Sequence, residues 1–159
     1  MKRFSFFFIF LITSFVMNSQ TVPEKQKIRK VIDTFFEGLH QGDSSIVSST
    51  LHSGIKIQTT YTNKEGKRIL RDETREKLLA GIAAKKKTDT YLEKLLSYDI
   101  KVDGNLASVW TPYEFYFNGK FSHCGANSFQ LFNNNNTWEI IYLVDMRRRG
   151  NCKANEVKK

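Results

Sequence analysis

Residues 110–145 carry the pattern that most constrains the fold of this 159-residue chain. Two turn-forming segments, Asn118-Gly119 and the asparagine run 133–136, separate three stretches rich in aromatic and β-branched residues. An Asn-Gly pair between such stretches is a strong signal for a two-residue hairpin turn. The spacing therefore predicts three consecutive antiparallel strands that form a meander.

The two-residue turn also predicts which residues face each other across the first hairpin. It pairs Tyr116 with Phe121 and Glu114 with His123. Pro112 favours a strand edge or a bulge, and a one-residue bulge would exchange the faces of its neighbours. The predicted inner face carries Trp110, Glu114, Tyr116, His123, Asn127, Phe129, Leu131, Trp138, Ile140 and Tyr142, and the opposite face carries Val109, Tyr113, Phe115, Cys124, Ser128, Gln130, Ile141 and Leu143.

The first part of the chain has a helical pattern. Apolar residues recur at helical spacing from Ile28 to Leu39. Thr21 and Glu24 have the spacing of a capping box, and Gly42 follows the last apolar residue. These features predict an amphipathic helix with one face that must be covered.

Shorter elements connect this helix to the meander. Asp43 is placed to cap a second helix that ends near residue 51, and residues 55–61 alternate as a half-buried strand does. A strand over 67–70 and a third helix, capped by Asp72 and ending near residue 84, follow. The apolar residues that alternate with polar positions in the next strands are Leu92, Leu96, Tyr98, Ile100 and Val102.

The first twenty residues have the layout of a secretory signal peptide. Lys2 and Arg3 precede an apolar run over 4–17, which ends in a short polar segment. A membrane span needs about 20 apolar residues, so an uncleaved anchor is the less favoured reading. We expect cleavage after Ser19 or Gln20 and export to the periplasm or the medium, with no integral membrane anchor. The remaining chain is expected to form a single domain over 21–152 and a flexible basic tail over 153–159.

Both cysteines, Cys124 and Cys152, lie in the part that is expected to be exported. Because that environment is oxidising, a disulfide between them is favoured over two free thiols. His40, His52 and His123 lack the spacing of metal ligands, and the chain has no nucleophile elbow or phosphate loop. The sequence therefore predicts no metal and no cofactor.

The formal net charge is +9. The basic residues form three separate clusters within 67–71, 85–87 and 147–149, and no nucleic-acid-reading motif accompanies them. We therefore expect no nucleic-acid partner. The positive charge is better explained by solubility or by attraction to anionic envelope surfaces.

Several segments resemble the nuclear transport factor 2-like superfamily, and in particular its exported bacterial members of the lumazine-binding type. They read FFEGLHQGD over 35–43, YEFYFNGK over 113–120, HCGANSFQLF over 123–132, WEIIYLVD over 138–145 and DMRRRGNC over 145–152. The resemblance implies an α+β cone in which about three helices pack on a strongly curved, mostly antiparallel sheet. It also implies a pocket between the two layers and a homodimer formed through the sheet.

A small-molecule-binding protein is the function that the sequence favours. Aromatic walls would surround a small, flat or apolar ligand, with polar side chains fixing its orientation. The predicted ligand-binding residues are Trp110, Tyr116, Asn127, Phe129, Trp138 and Tyr61. The alternative is that these aromatic side chains simply fill a solid core.

Two other classes of function remain open. An isomerase, dehydratase or cyclase would need a base near a substrate C–H and a donor to a developing oxyanion. His123 is the candidate base, Glu114 would orient it, and Asp145 is a further candidate acid or base. However, a histidine beside a glutamate is more often a structural cross-strand pair, and Asp145 can instead anchor Arg147 or Arg149. The third class is a non-catalytic dimeric interaction module without a pocket.

Overall fold

The computed structural model describes residues 23–152, and within this range three helices cover one face of a seven-stranded sheet. The helices are α1 (Glu24–Gln41), α2 (Ser44–Thr50) and α3 (Arg75–Ala83). The strands are β1 (Leu51–Thr62), β2 (Arg68–Glu73), β3 (Tyr91–Leu95), β4 (Asp99–Asp103), β5 (Leu106–Phe117), β6 (Lys120–Asn134) and β7 (Thr137–Arg148). The predicted signal peptide and basic tail lie outside the described residues, as does Thr21 of the capping box.

The sheet is mixed but mostly antiparallel. Its strand order is β2-β1-β7-β6-β5-β3, and β4 pairs with the other half of the β5 edge. All neighbouring strands run antiparallel except β1 and β7, which run parallel. The predicted meander is therefore present as β5, β6 and β7, and the expectation of an α+β fold with a curved sheet is confirmed. No helix within residues 23–152 combines the length and apolar composition needed to cross a membrane.

The turn between β5 and β6 has the predicted geometry. Asn118 and Gly119 both adopt positive φ angles, 49° and 73°. A type I′ hairpin turn requires positive φ at both central positions, and Asn-Gly is the pair that adopts it most readily. Tyr116 consequently pairs with Phe121, as the sequence predicted.

The predicted pairing fails one step beyond this turn, because β6 contains an extra residue at Ser122. Phe115, and not Glu114, pairs with His123. A one-residue bulge moves every following side chain of the partner strand to the other face. The inner face of β5 is therefore the one that the sequence assigned to the outside, and it carries Ala107, Val109, Thr111, Tyr113 and Phe115.

A second bulge lies in β7 at Ile141, between the pairs Leu131–Ile140 and Gln130–Tyr142. Before it, Ile140 faces inward as predicted. After it, the faces exchange, so Tyr142 points outward and Leu143 inward. Tyr142 donates a hydrogen bond to Gln58 on the outer face at 2.5 Å.

The residues predicted to end α1 and to cap α2 are confirmed, whereas α1 begins at Glu24 after Pro23, without the side-chain cap that the capping box implied. Gly42 ends α1 with a left-handed φ of 74°, and the Asp43 side chain accepts hydrogen bonds from the backbone N–H groups of Ser45 and Ile46. The predicted cap of α3 is wrong. Thr74 caps this helix by accepting from Lys77, because β2 extends through Asp72, whose carboxylate instead accepts from the Gln58 side chain.

The inner part of the cone is solid. Ile28, Ile32, Phe35 and Phe36 of α1 are buried against the inner face of the sheet. The rings of Phe35 and Phe36 meet the fully buried ring of Phe129 edge-on, at centroid distances of 5.9 and 6.1 Å. Aromatic pairs of this geometry add about 0.5–1.5 kcal/mol to the free energy of burial. This packing fixes α1 on the sheet.

A disulfide fastens the end of the described chain to the sheet. The sulfur atoms of Cys124 and Cys152 are 2.05 Å apart. Cys124 is fully buried in β6, while Cys152 follows the last strand. The bond closes a loop that contains all of β7, and closing a loop of this length stabilises a fold by about 3 to 4 kcal/mol in the chain-entropy model.

Two glycine-to-alanine substitutions should have opposite effects on stability. A Cβ atom at Gly125 would lie 1.8 Å from the carbonyl oxygen of Met146 and 2.9 Å from the Tyr113 ring, so G125A is expected to destabilise the protein by at least about 3 kcal/mol. A Cβ atom at Gly81, inside α3, would touch nothing within 4 Å, so G81A is expected to stabilise it by roughly 0.5–1 kcal/mol.

Urea denaturation followed by circular dichroism measures both effects. Equal stability of G125A and the wild-type protein would contradict the close approach of β6 and β7 at Gly125.

Candidate functional site

A cavity of about 370 Å³ opens between the C-terminal end of α1 and the strands β3, β5, β6 and β7. We call it the mouth cavity. Its lining residues are Leu39, Tyr91, Glu93, Phe115, Phe117, Ser122, His123 and Arg147. The solid core formed around Phe129 lies deeper in the cone.

Aromatic rings form one wall of the mouth cavity. Tyr91 pairs with Phe117 across β3 and β5, with ring centroids 5.7 Å apart. The ring of Tyr91 also meets Phe115 edge-on at 5.9 Å, and Phe115 lies 4.9 Å from the His123 ring. These contacts follow from the bulge at Ser122, which turns Phe115 inward. The wall offers flat apolar surfaces to a ligand.

Glu93 of β3 is the acidic group of the mouth cavity. Asn127 donates a hydrogen bond from Nδ2 to Oε1 of Glu93 at 2.7 Å. Burial raises the pKa of Glu93 to about 7, with a smaller rise from the nearby Asp145 carboxylate, while the Asn127 hydrogen bond and Arg147 oppose the shift. A carboxyl group with this pKa can both give and take a proton near neutral pH.

His40 of α1 holds the backbone beside this carboxyl group. The backbone N–H of Glu93 donates to Nε2 of His40 at 2.8 Å. Burial lowers the pKa of His40. A neutral imidazole that accepts at Nε2 is consistent with this geometry. His40 thereby links the position of β3 to the end of α1.

A second acidic group lies deeper, on β7. The Asp145 carboxylate accepts a hydrogen bond from Nε of Arg147 at 2.5 Å and a long one from the Tyr113 hydroxyl at 3.4 Å. Asp145 is buried and pairs in register with Asn127, which binds Glu93. Burial raises the pKa of Tyr113, and the negative charges of Glu93 and Asp145 raise it further. Tyr113 therefore acts here as a hydrogen-bond donor.

His123 borders the same cavity from β6. Burial lowers its pKa, as do the positive charges of Arg147 and Arg149, while Asp145 opposes them. Its Nδ1 lies 3.1 Å from the Ser122 hydroxyl, and its ring meets Tyr113 edge-on. The lowered pKa favours a neutral imidazole at neutral pH, which can accept a hydrogen bond or a proton.

The structure brings together three of the predicted site residues and separates the others. His123, Asn127 and Asp145 lie on the inner face around Glu93. Glu114 does not orient His123, because the bulge at Ser122 places it on the outer face, where it accepts a hydrogen bond from the hydroxyl of Tyr116 at 2.9 Å.

Most of the aromatic residues that were predicted to line the pocket lie in other parts of the fold. Trp110 is 51% exposed on the outer face, since the same bulge reverses its strand. Phe129 belongs to the solid core, and Trp138 lies near the start of α1, where its indole N–H donates to Glu24 at 2.7 Å. Tyr61 borders a neighbouring cavity. Tyr91, Phe115 and Phe117 take the place of these residues in the mouth cavity.

Sequence reasoning missed Glu93. The alternation that grouped Leu92 with Leu96 implied a solvent-facing Glu93, yet both leucines are exposed, 49% and 42%. Tyr91 and Leu95 form the opposite alternation, and their side chains face inward with Glu93. Both alternations are compatible with the sequence YLEKLL. The aromatic Tyr91 two residues before an acid was the available signal.

Metal binding finds no support in this part of the protein. Within residues 23–152, no group of three or more His, Cys, Asp or Glu side chains is arranged to hold a metal ion. The acidic pair Glu93 and Asp145 is instead hydrogen-bonded to Asn127, Arg147 and Tyr113.

Comparison with known sequences places the protein in a family. The family model described as "putative lumazine-binding" matches residues 23–144, well over half of the chain. The chain belongs to this lumazine-binding-type family. No curated protein matches this sequence.

Several solved structures have a fold similar to that of this chain. A nuclear transport factor 2-like (NTF2-like) protein from Cytophaga hutchinsonii superposes with a TM-score of 0.64 at 11% identity, covering 80% of this family member and 100% of the other chain. An NTF2-like protein of unknown function from Shewanella baltica gives 0.58 at 17% identity, covering 84% and 100%. A "putative dehydratase" of the NTF2-like family from Streptomyces avermitilis gives 0.58 at 13% identity, covering 81% and 100%. These similarities confirm the NTF2-like fold.

Replacing Glu93 with glutamine should change the pH dependence of stability. The pKa of Glu93 is raised from 4.5 to about 7 in the folded protein, so the unfolded chain loses this proton first as the pH rises. The free energy of unfolding therefore falls as the pH rises from about 4.5 to about 7, and it levels off above this range. At about 1.4 kcal/mol per pKa unit, the loss approaches roughly 3 kcal/mol.

We expect E93Q to be more stable than the wild-type protein at about pH 8 and to lose this advantage at about pH 4. Urea denaturation across this range measures the difference, and E114Q, on the outer face, is the matched control. Parallel pH profiles for E93Q and the wild-type protein would show that Glu93 is not held in its protonated form.

Proposed function

We propose that this family member is an exported small-molecule-binding protein whose ligand occupies the mouth cavity. The observation that carries this proposal is the combination of flat aromatic walls with a few polar groups at the base of one cavity. Cavities that bind small molecules generally have this composition and volumes of about 300–1,000 Å³. The mouth cavity, at about 370 Å³, is large enough for one small ring system.

The polar groups set the chemistry that a ligand must match. Protonated Glu93 can donate a hydrogen bond, and its carboxylate form accepts one. Neutral His123 adds an acceptor or donor, and Arg147 adds a positive charge that Asp145 partly balances. A planar heterocycle with ring nitrogens or carbonyl oxygens satisfies these groups while its faces contact Phe115 and Tyr91. The family name makes lumazine the first compound to test.

Truncation of Phe115 should weaken ligand binding. We expect F115A to reduce affinity about tenfold or more, because the ring contributes both a wall of the cavity and aromatic contacts to Tyr91 and His123. Phe121 is the matched control, since it is 45% exposed and contacts Tyr116 on the outer face. F121A should bind as the wild-type protein does.

Differential scanning fluorimetry against lumazine and a library of planar heterocycles measures this effect. A ligand at 100 times its dissociation constant stabilises the folded state by about 2.7 kcal/mol, which corresponds to a rise of several degrees in melting temperature. The proposal fails if no compound raises the melting temperature, or if F115A and F121A respond equally to those that do.

Export is the second part of the proposal. It is supported by the basic start, apolar run and polar end of residues 1–20, and a disulfide between Cys124 and Cys152 suits an oxidising compartment. The mature protein isolated from its source should begin after Ser19 or Gln20. N-terminal sequencing measures this directly, and an intact Met1 on the exported protein would exclude cleavage.

A proton-transfer enzyme of the isomerase or dehydratase type is the second candidate, and Glu93 is the observation that favours it. A carboxyl group with a pKa of about 7 beside aromatic walls has the properties of a general base for a carbonyl compound, with His123 and Tyr113 as neighbouring polar groups. In this candidate, Glu93 takes the role that the sequence assigned to His123, and Asp145 balances Arg147.

Exchange of substrate hydrogen for deuterium tests this candidate. If Glu93 is the base, a bound carbonyl compound should gain deuterium at its α-carbon in heavy water, at a rate that rises with pH through about 7. E93Q should be at least about 100-fold slower, and E114Q should match the wild-type protein. Mass spectrometry of the compound gives the rate. Equal exchange with and without the protein would leave binding as the function.

We also propose that a second copy of the chain covers the outer face of the sheet. On the part of this face formed by β3, β5 and β6, the large exposed apolar residues are Leu92, Leu106, Trp110 and Phe121. Exposed apolar patches of this kind are unusual on monomeric proteins. Analytical ultracentrifugation should give twice the monomer mass, and W110K should shift the protein toward monomer. A wild-type monomer at high concentration would contradict this proposal.

A further inference from the structure

A second and larger cavity lies beside the mouth cavity, where the parallel strands β1 and β7 end. Its volume is about 590 Å³. We call it the basic cavity. Its lining residues are Tyr61, Thr62, Asn63, Lys64, Ser122, His123, Arg147, Arg148 and Arg149. Because β1 and β7 run in the same direction, the turn after β1 and the arginine run at the end of β7 meet at the same edge of the sheet.

Positive charges predominate in the lining of the basic cavity. None of its nine residues is Asp or Glu. Arg147 is paired with Asp145, but within residues 23–152 neither Lys64 nor Arg149 takes part in an ion pair. A concave surface lined by charges of one sign concentrates the field and attracts ions of the opposite sign. The basic cavity therefore favours an anion.

The arginines of the basic cavity also act on His123, which lines it. Burial is the largest cause of the lowered pKa of His123; the charges of Arg147 and Arg149 lower it further, and Asp145 opposes them. A bound anion beside these arginines would reduce the repulsion and raise the pKa of His123. The pKa of His123 therefore indicates whether an anion occupies the basic cavity.

The two cavities are adjacent. Ser122, His123 and Arg147 line both the mouth cavity and the basic cavity. A ligand that extends past these three side chains would reach from the aromatic wall near Phe115 to the charges of Lys64 and Arg149. The chemistry changes along this path from flat and apolar to strongly cationic.

We propose that the ligand of this protein is an aromatic compound that bears an oxyanion, with its ring in the mouth cavity and its carboxylate or phosphate in the basic cavity. This inference rests on the proposed function and names the class of ligand. Arginine side chains bind both oxyanions through charge-assisted hydrogen bonds, so the shared chemistry is the anionic oxygen. Carboxylate and phosphate are distinguished by experiment.

Matched naphthalene compounds separate the contribution of the ring from that of the anion. The probes are 2-naphthoate, 2-naphthyl phosphate and the neutral 2-naphthylmethanol, each titrated by isothermal calorimetry into the wild-type protein. At least one anion is expected to bind roughly tenfold or more tightly than the neutral alcohol. The tighter of the two anions identifies the preferred oxyanion. Equal affinities for all three probes would overturn the inference.

Removal of the positive charges of Lys64 and Arg149 tests the position of the anion. K64Q/R149Q should lose most of the advantage of the anionic probes and keep the affinity for 2-naphthylmethanol. K86Q/K87Q removes the same net charge after α3 and should behave as the wild-type protein does. If both double variants weaken anion binding equally, the effect is one of net charge, and the proposed location is wrong.

Inorganic phosphate tests the basic cavity separately from the aromatic wall. We expect phosphate to raise the pKa of His123, measured by nuclear magnetic resonance, in the wild-type protein but not in K64Q/R149Q. A rise without binding of any naphthalene compound would support the anion site and reject the proposed ring site. Binding of 2-naphthylmethanol without a phosphate effect would support the ring site and reject the anion site.

Discussion

The extra residue at Ser122 decides which chemistry this fold presents to a ligand. It breaks the hairpin pairing just after the turn, so that Phe115 and Tyr113 face inward while Glu114 and Trp110 face outward. Without this bulge, the inner face would carry Trp110, and the mouth cavity would lose the wall formed around Phe115. Bulges also increase the local twist and bend of a strand, which suits a sheet that curves around its helices.

The solid core and the open cavity depend on each other. Phe129 packs against the two phenylalanine rings of α1 and holds the helix on the sheet, so the end of the helix is placed beside β3. There His40 binds the backbone of Glu93, and Asn127, two residues before Phe129, binds its side chain. The acidic group is thus held from two sides by elements that the core positions. A carboxyl group in such a fixed and partly buried place keeps a raised pKa.

Local patterns predicted most of this fold, and the reasons for the errors are physical. The Asn118-Gly119 turn and the end of α1 at Gly42 depend on backbone conformations that few residue types adopt. The residues at these positions therefore predict both features directly. Bulges leave no comparable pattern, and each one reverses the faces of the strand beyond it. Trp110 and Tyr142 were placed wrongly for this reason. Glu93 was missed because its short strand supports two opposite alternations, and the one that the fold adopts turns Tyr91, Glu93 and Leu95 inward.

The disulfide at the end of β7 has a consequence for the neighbouring arginines. A chain that simply ended after β7 would leave Arg149 free to sample many conformations, and a ligand would have to restrict them on binding. The covalent link from Cys152 to the buried Cys124 restricts this segment during folding. Most of the conformational entropy of the arginine run is then lost during folding, before any ligand binds. The link therefore acts as preorganisation of the edge where β1 and β7 end.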